Sequence, residues 1–556
     1  MEAAGENPLQ APEPSEGKPA VPGVRAPAKK FSQAARDPTA HGGFAKVWLL
    51  PAGVILGAAV GLFIVARFAD VLGGQGHFLS GLVLGKPDAI EQAVQNVSQV
   101  IVGVLGLVIT VVAIVVQLAA QRYTPKLVDL FVTDRVNISY FLLMVVTAIY
   151  CLILSYTAAD VVNPFWGGVV VLALTVVILA LLGPYFSYVF QVLTPGHIIY
   201  IIRKNANGAI EKVSARSKPQ EMRRLQTDVA NSMEQISDIS LSAVSQMDRN
   251  VALLSIRSLK DLMVDHLLLK RRLPARWFVP QKEHFSAIST DFLHEIAVTR
   301  VWVEVKGFMD MELIFKMAIK DMPDGVSAVA NSTKIVGLYA IRLRDFQVLN
   351  NVIQFFNTFL RHAVNDRNPK AIYNLFYQYR MLAEEVLSLD PKLAERIMFY
   401  FKYYGQTAQS YQIPMILITA SFDMMHMLRK AYLKQVPNLH ALMTTFLEID
   451  DNPATQSNEF DLRSVRKAQL MFASFLLSQG DDVLVRRIFE DLKTEPATRM
   501  TAIRNEMMAV RDRKFWEVTD RGVDFFYIDD EQKKFLGEFY ARFIEPHYAQ
   551  QEKRPA

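Results

Sequence analysis

The chain has 556 residues, 51% of them hydrophobic, with 60 Lys and Arg against 55 Asp and Glu. That length allows about three or four domains, and a formal net charge of +5 is too small to point to nucleic acid. The single cysteine, Cys151, excludes an internal disulfide framework, a thiolate metal site and a CxxC redox couple.

Residues 1–45 carry Pro8, Pro12, Pro14, Pro19, Pro22, Pro27 and Pro38 among Ala, Gly and charged residues, a composition that reads as a disordered tail. The tail is too long for the front of a signal peptide, so the first apolar run is expected to be retained. Four apolar runs follow. They predict a four-helix transmembrane domain over 46–202, with spans at about 47–66, 88–121, 138–156 and 165–193. Gly183-Pro184 predicts a kink in the last of them.

The second run carries a distinctive edge. Pro87 precedes it, and Asp88 with Glu91 has capping-box spacing. Gln92, Asn96, Gln99, Gly103, Gly106, Thr110, Ala113, Gln117 and Gln121 then recur every three or four residues, so they share one helix face. The remainder of Ile101 to Ala120 is almost all Val, Ile and Leu. An unpaired amide is costly in hydrocarbon, so this edge is expected to face other helices or an aqueous path. Two readings follow. In one, Gly103 and Gly106 allow close helix approach in a homo-oligomer and Gln117 bonds across helices. In the other, Gln99, Thr110, Gln117 and Gln121 wet a conduit, with Arg122 near its mouth.

Lys and Arg in the connectors predict orientation. Arg25, Lys29, Lys30, Arg36 and Lys46 precede the first span; Arg122, Lys126 and Arg135 lie between the second and third. Arg203, Lys204, Lys212, Arg216, Lys218, Arg223 and Arg224 follow the fourth. Both termini are expected on the cytoplasmic side of the plasma membrane, with Arg203, Lys204, Lys212, Arg216 and Lys218 as candidate contacts to lipid headgroups.

Beyond the spans the chain reads as all-α. Residues 203–322 form a juxtamembrane helical segment, with an amphipathic pattern through Leu225, Val229, Met233 and Ile236. Val301 to Val305 alternates and reads as a short strand. In 323–556, Pro369, Pro391, Pro414 and Pro437 stand 22 or 23 residues apart and punctuate helix-length runs. This spacing fits either stacked helices, as in an α-solenoid, or a non-repeating bundle. Ala468 to Lys493 reads as a helix pair about Gln479-Gly480-Asp481. Phe515-Trp516 and Phe525 to Tyr527 read as core of the last helices.

From Val116 to Leu127 (VQLAAQRYTPKL), then at Phe131, Asp134, Arg135 and the span Phe141 to Tyr156, the chain resembles a bacterial family of predicted membrane proteins, domain of unknown function 2254. The likeness covers about Pro87 to Lys204 and extends weakly through Ile236 to Leu262. There the family's Ser-Pro…Asn-Asp-Pro pattern is replaced by Ser245-Gln246-Met247-Asp248-Arg249-Asn250. The resemblance implies a prokaryotic plasma-membrane protein and supplies no catalytic residue.

Chemical motifs are sparse. Gly81 to Lys86 is one residue short of a phosphate loop, with Pro87-Asp88 where Ser or Thr belongs. His284, Asp291, His294 and Glu295 read as a surface cluster, and Met424-Met425-His426-Met427 as core methionine. Arg271, Arg272 and Arg276 beside Trp277 read as a solvated helix end. No catalytic, cofactor or metal site is assigned, and no enzyme activity is expected. The expected partners are the bilayer, further copies of the chain and a cytoplasmic protein.

Overall fold

The computed structural model describes residues 87–556 apart from 123–126, 133, 158–164, 286–287, 452–454, 456–457, 515–520 and 553–556, together with 57, 61, 64–66, 68 and 69. All regular structure among the described residues is helical. The chain divides into two units, one of Met1–Val108 and Leu130–Leu181, the other of Ile109–Asp129 and Leu182–Ala556.

Among the described residues three helices, not the expected four, are long and apolar enough to cross a membrane: Val94–Gln121, Arg135–Tyr156 and Trp166–Val192. Of the expected span at 47–66, only Gly57, Gly61 and Ile64, Val65 and Ala66 are described, all helical. The tail 1–45 and the near phosphate loop at 81–86 lie outside the described residues. The three helices belong to α1 (Pro87–Arg122), α3 (Arg135–Thr157) and α4 (Phe165–Val192), with the short α2 (Leu127–Val132) between the first two. Their Val and Ile content would suit strands in water. In hydrocarbon each segment must satisfy its own backbone, and only a helix does that locally.

Within the first unit α3 is the most enclosed helix. Val94 and Ile101 of α1, Ala148, Tyr150, Cys151 and Leu154 of α3, and Val171 of α4 form one buried cluster. Gly167 admits close approach here, since a Cβ on it would stand 2.8 Å from Leu154 Cδ1. Polar side chains are satisfied in place: Tyr140 donates to the Ile178 carbonyl at 3.2 Å, and Asn137 Nδ2 to the Phe131 carbonyl at 3.1 Å. α4 carries on through Pro184 to Val192. The chain leaves helical geometry instead at Thr194 (ψ 139°), ahead of Pro195.

The second unit holds α5 (Pro195–Lys212), α6 (Pro219–Ser245), α7 (Arg249–Leu269), α8 (Thr290–Thr299), α9 (Trp302–Asp321), α10 (Pro323–Leu343), α11 (Phe346–Asn365), α12 (Pro369–Val386), α13 (Pro391–Ser410), α14 (Ile416–Leu433) and α15 (Leu439–Leu447). It continues through α16 (Glu459–Ser478), α17 (Asp482–Leu492), α18 (Ala497–Ala509), α19 (Asp530–Phe539) and α20 (Glu545–Glu552). These helices stack in two layers. α5, α7, α10, α12, α14 and α16 pack in series as one layer, and α6, α9, α11, α13 and α15 as the other. Each helix therefore touches its sequence neighbour across the layers and its counterpart one pair away within a layer.

The pairs register on one another at a near-constant interval. Asn374 donates to Ser327 Oγ across 47 residues, Tyr404 to the Asn357 carbonyl across 47, Lys430 to Glu384 across 46, and Arg487 to the His440 carbonyl across 47. Helix starts are fixed by capping carboxylates and amides. Asp248, Asp345, Asn368, Asp390 and Asp481 each accept from the backbone N–H three residues on. At Asn368-Pro369 and Asp390-Pro391 the proline fills the first helical position, where its missing N–H costs nothing.

Two local expectations are corrected. Val301 to Val305 is not a strand; Trp302 onward belongs to α9. That stretch is buried on every side between α6, α7, α10 and α11, so its apparent alternation never marked an inside and an outside. Phe525 to Tyr527 belongs to no helix, although Phe525 does pack, its ring 5.1 Å from that of Phe422. Phe515 and Trp516 lie outside the described residues.

Candidate functional site

α1 packs through a narrow seam: Val94, Ser98, Ile101, Val108, Val112 and Val116 are its buried residues. Most of the polar and small residues stand two positions from a seam residue, while Ala113 and Gln117 follow Val112 and Val116 by one. Two positions on an α-helix are about 200° of rotation, so most of the stripe lies on the opposite face. Gln99, Gly103, Gly106, Thr110, Ala113, Gln117 and Gln121 are all exposed. A Cβ added at Gly103 or Gly106 would meet nothing within 4 Å. Among the described residues the helix thus buries a seam of Val, Ile and Ser98 and leaves its amide and glycine edge exposed. The helix ends at Arg122, whose side chain lies outside the described residues.

The candidate headgroup residues divide. Arg203 is taken up within the protein, its Nη1 2.6 Å from Asp261 Oδ2 on α7. Asn207, one turn on, donates to Asp265 on the same helix at 2.7 Å. These contacts hold α5 by its polar side, while Ile198, Ile199, Ile202, Ala206 and Ile210 are buried. Lys204, Lys212, Arg216 and Lys218 are exposed.

Three buried polar constellations escaped sequence reasoning. In the first, Trp277 Nε1 donates to His266 Nε2 at 3.1 Å, so that nitrogen carries no proton. His266 Nδ1 therefore donates to Glu304 Oε1 at 2.7 Å, with both residues fully buried. Trp302 donates to the Trp277 carbonyl at 2.9 Å, and Gln226 Nε2 to the carbonyls of Trp277 and Val279. The set pins the segment after α7 against α6 and α9; Arg271, Arg272 and Arg276 are exposed, as expected of a solvated helix end, while Trp277 beside them is core. In the second, Asp423 receives Arg521 and Arg380. In the third, Arg466 meets Asp450, Asp491 and Glu495 at 2.6–2.8 Å. The sequence signal for all three was a charged or aromatic residue inside an apolar helix stripe, without an indication of its partner.

No group of three His, Cys, Asp or Glu among the described residues is placed to hold a metal ion. His284 lies 3.4 Å from Thr227, while Asp291, His294 and Glu295 are exposed. Met424, Met425 and Met427 are buried and His426 is exposed, so the four side chains do not converge.

The apolar helices and their basic exit carry a family signature. Residues 45–225 match the family "Predicted membrane protein (DUF2254)". The DUF2254 match takes in all three apolar helices, α5 and the first turns of α6, and agrees with the resemblance read at Val116 to Leu127. No curated protein matches the chain. A solved structure described as "Circular tandem repeat protein with novel repeat topology and enhanced subunit contact surfaces" is similar at 14% identity and a TM-score of 0.31, covering 84% of this chain and 97% of that one.

Proposed function

We propose that this DUF2254-containing chain is an oligomeric plasma-membrane anchor whose copies meet through the amide and glycine edge of α1, and whose stacked helices present a surface to cytoplasmic protein partners. One observation carries the reading: among the described residues the edge lies on the face away from the buried seam, and it is exposed. Left against acyl chains, Gln117 would keep an amide without polar neighbours, a cost of a few kcal/mol (~2–7); a second α1 offers it hydrogen bonds and offers the glycines close packing. The Lys and Arg bias of the connectors supports an orientation with both termini inside, and the resemblance to the bacterial DUF2254 family supports an inner-membrane setting. The extended two-layer stack supports the partner-binding role, because such arrays present long continuous surfaces.

The test is substitution of Gly103 and Gly106 by Leu. Among the described residues nothing stands within 4 Å of a Cβ at either position, so the variant is expected to fold, while a helix partner at that edge is pushed away. The wild type should run as an oligomer in lipid nanodiscs by mass photometry and the double variant as a monomer. A monomeric wild type, or a double variant that still assembles, removes the proposal.

A second reading rests on the amides Gln99, Gln117 and Gln121 on that same edge: copies of α1 stand around an axis and enclose an aqueous path. Gln117→Leu should then abolish conductance of the reconstituted protein, and a wild-type oligomer that conducts nothing eliminates the path.

A further inference from the structure

The links between paired helices are short throughout most of the stack: two residues between α10 and α11, four between α12 and α13, five between α14 and α15, three between α16 and α17. Between α7 and α9 the link expands to residues 270–301, which fold into three short 3-10 turns and α8. Long irregular insertions in compact stacks are commonly functional. This one builds a cavity.

The cavity lies between the first turns of α6 and the turns at 276–283, with a volume of about 390 Å³. That falls within the range of small-molecule sites, roughly 300–1,000 Å³. Arg223 enters from α6, Arg276 and Lys282 from the insertion, and Glu283 is the acidic residue among those lining it. All three cations are exposed, and among the described residues none of them makes an ion pair. Its wall is fixed. Gln281 Nε2 donates to the Arg223 carbonyl at 2.7 Å and to Thr227 Oγ1 at 3.2 Å, while Gln226 holds the Trp277 and Val279 carbonyls at 2.9 Å from beneath. The N-terminal end of α6, a helix of 27 residues, adds the positive pole of its backbone dipole at the rim.

We propose that this cavity binds a phosphate-bearing anion, with Arg223, Arg276 and Lys282 as its ligands. The cavity gathers three exposed cations from two separate elements against one carboxylate, and a phosphate between them accepts several charge-assisted hydrogen bonds. The phosphate belongs either to a lipid headgroup or to a free solute. Glu283 disfavours the most highly charged anions and so favours a phosphodiester or monoester over a polyphosphate.

The test uses purified full-length protein in neutral detergent. Inorganic phosphate is titrated by calorimetry, and in a parallel arm retention of phosphatidylglycerol is read by native mass spectrometry. Two variants are compared: Arg223→Gln with Arg276→Gln in the cavity, and Lys392→Gln on α13 with Lys534→Gln on α19 as a charge-matched control outside any candidate lipid contact. All four residues are exposed, so both variants keep the fold. The cavity variant should lose affinity by roughly tenfold or more, and the control should match the wild type. Loss in the phosphate arm assigns a free solute; loss confined to the lipid arm assigns a headgroup. Absence of binding in both arms, binding untouched in the cavity variant, or an equal loss in the control overturns the site.

Discussion

Replacing Asp423 by Ala should be among the most damaging single changes in the helical stack. Asp423 is fully buried, and its two oxygens accept from Arg521 Nη1 at 2.6 Å and Nη2 at 2.8 Å. Arg380 Nε lies 3.0 Å from the same Oδ1. Arg521 and Arg380 are themselves only 5% and 15% exposed at the side chain, so removing the carboxylate leaves two enclosed cations facing one another. Breaking a buried pair in this way costs about 3–5 kcal/mol. Arg521 retains the Tyr373 carbonyl at 3.2 Å and the Tyr373 ring face at 4.4 Å, and Arg380 retains Glu384, which places the expected loss at the lower end, about 3 kcal/mol. The paired change Asp423→Ala with Arg521→Met removes both members of the bidentate pair and should cost less than the sum of the two single changes. Urea unfolding of the full-length protein in detergent, followed by circular dichroism, measures all four corners of the cycle. A cost for Asp423→Ala under about 1 kcal/mol, or single changes that simply add, would refute the reasoning.

Two further outcomes are expected. Gly405→Ala should lower stability by about 1–3 kcal/mol, because its new Cβ would stand 2.9 Å from Ala420 Cβ and press α13 off α14. Gly537→Ala, in α19 with nothing within 4 Å, should instead raise stability by about 0.5–1 kcal/mol, and urea midpoints of the two variants read the opposite signs. Burial pushes Asp310 and Asp450 from 3.8 up to about 6, against the opposing pull of Lys306 and Arg466. Between about pH 4 and 6 the folded chain therefore holds protons that the unfolded chain releases. These two groups make stability fall as pH rises through that window, by on the order of 3 kcal/mol each, and stop contributing a slope above it. Asp310→Asn should remove its share of the slope, checked by urea midpoints taken from pH 4 to 7.

The spans were legible because lipid leaves a Val- and Ile-rich segment no choice but helix. The prolines at 369, 391, 414 and 437 were legible as punctuation, and two such intervals nearly equal the 46 or 47 residues that separate Lys430 from Glu384 and Asn374 from Ser327. What the sequence concealed was partnership. Along α1 the polar stripe could be read, but Val and Ile surround the rest of the helix, so nothing marked which arc would pack. Arg203 looked like one more cation of a basic exit, because its carboxylate, Asp261, stands 58 residues on. Val301 to Val305 misled through a two-residue rhythm that burial on all sides made meaningless. The anion cavity was hidden for the same reason as Arg203: Arg223 and Arg276 meet only after α7 has turned the chain back.

The two-layer stack also bears on how the protein yields. A globule resists bending because its elements brace one another in all directions. In this array each helix leans only on those beside it, so a small change of angle at one joint is passed along and added to the next. A partner gripping several pairs at once could thus alter the curvature of the whole row while no single interface moves far. Within the row, Arg521 reaches back 98 residues to Asp423 on α14 and 148 to Tyr373 on α12, lashing these two rungs together. That joint should stay stiff while the others supply the give.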